Sequence, residues 1–110
     1  TVTALENDGY FGVWRFGMKE KEIERKLVEE VKKAGGLCIK INSESMNGLP
    51  DRLVLLPDEM CGWVELKAPG EKPRPLQIKR HSQLRALGQK VFVIDGKEQI
   101  GGVLDAIRQK

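Results

Sequence analysis

Apolar positions change their period along the chain, and each change marks an element. From Met18 to Ala34, in MKEKEIERKLVEEVKKA, Ile23, Leu27, Val31 and Ala34 recur at helical spacing, and Gly35-Gly36 follows as a stop. That segment predicts a helix. GLCIKINS then alternates Leu37, Ile39 and Ile41 against Cys38, Lys40 and Asn42, which predicts a strand with the Leu37 side buried. SMNGLPD supplies turn residues, RLVLL reads as a short apolar strand ending at Pro57, and PDEMCG leads tightly into a third strand, GWVELK. Three strands in such quick succession predict an antiparallel meander. Pro75 suits the first turn of a helix running to Leu87 before Gly88, with Gln77, His81 and Leu84 along one side. KVFVID reads as a buried strand, and Ile100, Val103, Leu104 and Ile107 stripe a last helix.

The expected order is helix-strand-strand-strand-helix-strand-helix, an α/β fold with a mixed α+β sheet. One hundred and ten residues suit a single domain, here 18–110. Residues 1–17 carry four of the six aromatics, Tyr10, Phe11, Trp14 and Phe16, without a clean period, and read as an arm or irregular hairpin. Apolar residues at 40% and charged residues at 32% describe a soluble chain, with no run approaching the ~20 apolar residues of a membrane span. No secretory signal is visible. Cys38 and Cys61 lack metal-ligand spacing and suit reduced thiols in a cytoplasmic protein.

Charge is unevenly placed. Between Lys67 and Lys90 stand seven basic residues against Glu71 alone, a local balance of +6, so the rest of the chain sums to −3. A solvated helix face is one reading of such a run, and a polyanionic partner such as nucleic acid is the other.

The acids sharpen the choice. Glu65 and Lys67 lie two apart on one strand and share its face with Trp63, while Val64 and Leu66 point the other way. Asp51 opens the preceding strand, fourteen residues before Glu65, so the meander can bring the two carboxylates together. Their repulsion is relieved by a hard divalent cation, with Mg²⁺ the natural occupant, keeping several waters and open positions for phosphate oxygens. Such an ion can activate water and stabilise charge developing on a phosphodiester. Lys67 would orient or help deprotonate that water. Glu24 projects into the apolar arc of the first helix, as does Glu20 one turn earlier, and an acid placed there needs a partner or a cation. Each residue also has a plainer role. Asp51 suits a turn, Glu24 suits pairing with a core-edge Arg or Lys, Gln77 suits a surface amide, and the lone His81 suits a structural place better than a ligand.

Taken together, Pro50-Asp51, Glu65-Leu66-Lys67 and the preceding helix resemble the PD-(D/E)XK nuclease superfamily and its restriction-endonuclease-like core. More closely, NGLPDRLVL, VELKAPGEKPRPLQ and LRALGQKVFVI resemble the virus-type replication-repair nuclease (VRR-NUC) family, in its small stand-alone phage and bacterial form, over about Met18 to Lys110. The resemblance implies a DNA endonuclease dependent on Mg²⁺, with Mn²⁺ as substitute. Asp51, Glu65, the Leu66 carbonyl and Glu24 would hold metal, Lys67 would be the catalytic lysine, and Gln77 would assist beside them. Lys72, Arg74, Lys79, Arg80 and Arg85 would contact DNA phosphates. Stand-alone members resemble Holliday-junction resolvases, so a homodimer on four-way junctions is expected, its two-fold axis matching that of the junction. A flap-, nick- or end-directed nuclease, or a binding module that no longer cleaves, are the alternatives.

Overall fold

The computed structural model describes the backbone of residues 9–42 and 44–110, and the side chains from residue 19 onward except residue 43. The elements are α1 (Gly9–Lys33), β1 (Leu37–Lys40), β2 (Arg52–Leu56), β3 (Met60–Leu66), α2 (Pro75–Ala86), β4 (Val91–Ile94), a short 3-10 turn (Lys97–Gln99) and α3 (Ile100–Arg108). The sheet runs β1-β2-β3-β4, antiparallel across the first three strands and parallel between β3 and β4. This is the expected meander followed by a helical crossover, because a parallel return from β3 needs a connection long enough to house α2.

Both sheet faces carry helix. Val54 and Leu56 of β2, Val64 and Leu66 of β3 and Ile94 of β4 join Ile23, Leu27 and Val31 of α1 and Ile100, Val103, Leu104 and Ile107 of α3 in one core. Apolar residues on that face alternate with residues turned toward α2, the period-two pattern of a pleated strand. Glu65 belongs to the α2 side.

Two glycines set the helix ends that aim the following strands. Gly35 and Gly88 both adopt φ near +85°, at +83° and +87° respectively. Each closes its helix with paired backbone bonds, Gly36 N–H to Val31 O at 2.9 Å and Gly35 N–H to Lys32 O at 3.0 Å in the first case. In the second, Gln89 N–H donates to Leu84 O at 3.0 Å and Gly88 N–H to Arg85 O at 2.9 Å. Only glycine takes that conformation without a Cβ penalty.

Two expectations need correcting. The first helix begins at Gly9, nine residues before the position read from its apolar stripe, so an irregular hairpin over 1–17 does not hold from residue 9 onward; residues 1–8 lie outside the described residues. The apolar parity of β1 is also reversed. Leu37 and Ile39 are 64% and 39% exposed, whereas Cys38 packs against the core. The register Cys38↔Val54 puts Cys38 on the face covered by α1, and β1 is an edge strand whose other face α2 does not reach. Alternation gives the parity of a strand, and the helices that cover the sheet decide which parity is inside.

Candidate active site

Asp51 stands one residue before β2, where the chain is pinned on two sides. Its carbonyl accepts Ile41 N–H at 2.9 Å, extending the pairing with the β1 side, and its Oδ2 accepts Leu66 N–H from β3 at 2.7 Å. The short second bond fixes the carboxylate beside the strand that carries Glu65.

Glu65 is buried, with 1% of its surface exposed. Its Oε2 accepts from Gln77 Nε2 at 2.9 Å and lies 3.5 Å from Lys67 Nζ. Its Oε1 faces His81 Nε2 at 3.7 Å, and neither of those buried atoms has a hydrogen-bond partner. Burial pushes the Glu65 carboxyl up to about 7, the Asp51 charge adds to the rise, and the Lys67 ammonium opposes it. Asp51, fixed by the Leu66 N–H bond, thus acts on Glu65 from the neighbouring strand across the β2–β3 mouth. Two acids in that position cannot both ionise cheaply. Burial first, then the charges of Arg85 and Lys67, lowers the His81 pKa, against a smaller rise from Asp51.

Gln77 is more than a surface amide. Its Oε1 accepts Arg74 N–H at 2.8 Å at the start of α2 while its Nε2 donates to Glu65, so one side chain caps the helix and holds the carboxylate. The assignment of both ends of the amide follows from those partners.

The two acids of the first helix separate. Glu24 Oε2 accepts from Arg52 Nη2 at 2.9 Å and from Arg52 Nε at 3.2 Å, and Arg52 Nη1 donates to Cys38 O at 3.1 Å. Glu24 is therefore held by a half-buried guanidinium on the α1 face of β2, the pairing with a core-edge Arg that was its plainer role. Glu20 is the helix acid that senses the site. Burial raises its pKa first, then Asp51, against a lowering by Lys67. One turn of helix decides between the two, and only the neighbour across the sheet, Arg52, shows which acid is already occupied.

The basic residues separate as well. Lys72, Arg74 and Lys79 are exposed. Arg80 is spent on the loop before β2, donating to Asn47 O at 2.8 Å and Gln83 Oε1 at 3.0 Å, and Arg85 donates to Val91 O at 2.8 Å, tying α2 to β4. Both therefore also brace the fold.

Asp51, Glu65 and the adjacent Leu66 carbonyl form an all-oxygen donor set suited to a hard divalent cation. No group of three or more His, Cys, Asp or Glu stands at metal-holding distance among the described residues. The donor set of two carboxylates and a carbonyl, one carboxylate buried and the other on the adjoining strand, fits such an ion.

No family model matches the chain. A protein of Acyrthosiphon pisum secondary endosymbiont phage 1 named "Putative nuclease p44" is 46% identical over 90 residues, covering 82% of this chain and 96% of that protein. A solved structure described as a VRR_NUC domain superposes with a TM-score of 0.74 at 33% identity, covering 79% of this chain and 95% of that one. The chain belongs to the VRR-NUC nuclease family. The fold expected from the motifs Pro50-Asp51 and Glu65-Leu66-Lys67 is thus the fold found. No helix among the described residues is long and apolar enough to cross a membrane.

Proposed function

We propose that this VRR-NUC protein is a divalent-metal-dependent endonuclease that hydrolyses phosphodiester bonds in branched DNA, with four-way junctions as its preferred substrate and a homodimer as its working form. The observation that carries the reading is the buried Glu65 carboxylate with Lys67 Nζ 3.5 Å away and Asp51 fixed on the adjoining strand by Leu66 N–H. A protein that only bound DNA would gain nothing by burying one acid and placing a second beside it next to phosphates.

Asp51, Glu65 and the Leu66 carbonyl would hold Mg²⁺ or Mn²⁺, and Glu20, whose carboxyl feels Asp51, would act on the ion from α1 through water. When bound, the cation would polarise a phosphate oxygen and make water a stronger nucleophile. Gln77 holds the Glu65 carboxylate in one plane through Oε2. Lys67, mostly buried at 13% exposure, keeps its ammonium at the carboxylate pair, where it orients the attacking water and offsets charge gained by the phosphate in the transition state. Exposed Lys72, Arg74 and Lys79, on the loop and helix that follow β3, would hold the DNA backbone without reading bases. Two sites related by a two-fold axis match the symmetry of a junction and cut its paired strands.

The test is incubation with labelled four-way junctions, flaps and linear duplexes in Mg²⁺, Mn²⁺ or EDTA. Paired symmetric nicks at the junction, lost in EDTA, are expected. Preference for flaps or ends overturns the substrate assignment, and inertness in every metal overturns the enzymatic one.

A further inference from the structure

His81 is the only histidine of the chain, and at 2% exposure it is one of two buried polar side chains among the described residues, the other being Glu65. Its Nε2 and Glu65 Oε1 face each other at 3.7 Å with no other partner for either. An unpaired buried donor or acceptor is costly, and here a nitrogen able to donate confronts an oxygen able only to accept when ionised. An approach of about 0.8 Å brings the pair to the usual N–H···O separation of about 2.9 Å. Imidazole can donate from Nε2 whether neutral or charged, so the contact does not depend on the protonation state of the ring.

The frame around the ring is set to keep it there. Gln77 and His81 lie four residues apart on α2, so they share one helix face over the same carboxylate. Arg85, one turn further on, fastens α2 to the Val91 carbonyl of β4. Gln77 takes Oε2 from one side, and His81 stands at Oε1 from the other. Resting on the metal-site reading above, we propose that His81 is a positioning residue for Glu65, donating Nε2–H to Oε1 so that, with Gln77 on Oε2, the carboxylate is presented to the divalent cation in a single orientation. The ring touches neither the cation nor the DNA. Its effect is on the affinity for the ion, since outer partners that orient a metal-ligating carboxylate are typically worth ten- to hundredfold in binding.

A single histidine makes the contact directly visible. In the full-length chain labelled with ¹⁵N, the long-range ¹H–¹⁵N spectrum of the imidazole should show the Nε2–H tautomer in EDTA and retain it on saturation with Mg²⁺. An Nδ1–H tautomer with bare Nε2, or a tautomer-averaged ring, overturns the proposal. Alongside it, Mg²⁺ and Mn²⁺ titration calorimetry on His81→Leu should show at least tenfold weaker binding, and His81→Gln, whose amide nitrogen can reach Oε1, should stay within about threefold of wild type. Binding by His81→Leu equal to wild type, or by His81→Gln as weak as by His81→Leu, contradicts the positioning role while leaving the nuclease reading intact. A wild-type chain that binds no divalent ion sinks the metal reading instead, and the imidazole spectrum still decides whether His81 engages Glu65.

Discussion

Replacing Asp51 by Asn separates two things that its side chain does. The amide oxygen can still accept Leu66 N–H, the 2.7 Å bond that pins β2 to β3, but the negative charge beside Glu65 is gone. In the metal-free fold that charge is a burden, because Glu65 is pushed from 4.5 to about 7 by burial first and by Asp51 second. The unfolded chain loses the Glu65 proton near pH 4.3, whereas the folded state keeps it to about 7, so stability falls as pH rises through that window and stays low above it. At about 1.4 kcal/mol per pH unit the whole effect is roughly 4 kcal/mol at pH 8. The Asp51 share, second to burial, is about 1 kcal/mol, or about 4 °C for a domain of this size. Thermal melts in EDTA should therefore place Asp51→Asn about 4 °C above wild type at pH 8 and level with it at pH 5, where Glu65 is protonated in both. Mg²⁺ at a hundredfold excess over its dissociation constant should then add about 2.7 kcal/mol to the wild type at pH 8 and nothing to the variant. A variant that melts below wild type in EDTA at pH 8, or that gains as much from Mg²⁺, refutes the reasoning.

Other side chains give distinct outcomes. Glu24→Gln weakens the ion pair of Arg52 and should cost about 1–2 kcal/mol in a denaturant melt while leaving cleavage within twofold of wild type; Glu20→Gln should leave stability unchanged or improved and cut cleavage at least tenfold. Lys67→Ala should lower single-turnover cleavage by about 10²–10⁴ while junction affinity, followed by gel shift, changes little. Lys72→Ala and Lys79→Ala should each flatten the slope of log affinity against log salt by about 1. Arg85→Ala should instead lower the melting temperature, since Arg85 is bonded to the Val91 carbonyl.

The residues legible in the sequence are those whose role is carried by local spacing. Glu65 and Lys67 share a strand face by parity, Asp51 meets Leu66 because a short meander leaves it nowhere else to go, and the buried stripe of α3 follows from its period. Spacing fails where a distant neighbour decides. Arg52 claims Glu24 from 28 residues away and leaves Glu20 beside Asp51. The covering of only one face of β1 by α1 turns Leu37 outward and Cys38 inward. The bonds of Arg80 to the loop before β2 and of Arg85 to the start of β4 are likewise invisible in local spacing. The sequence signal for His81 was its four-residue spacing from Gln77, which places both on one side of α2; what it lacked was the knowledge that Glu65 lies beneath them.

The most direct measurement is the anomalous diffraction of crystals soaked in Mn²⁺. The account predicts one strong peak within about 2.0–2.4 Å of a carboxylate oxygen of Asp51, a carboxylate oxygen of Glu65 and the Leu66 carbonyl. No peak between the two acids at saturating Mn²⁺, or an ion held by one of them with the other turned away, would contradict it.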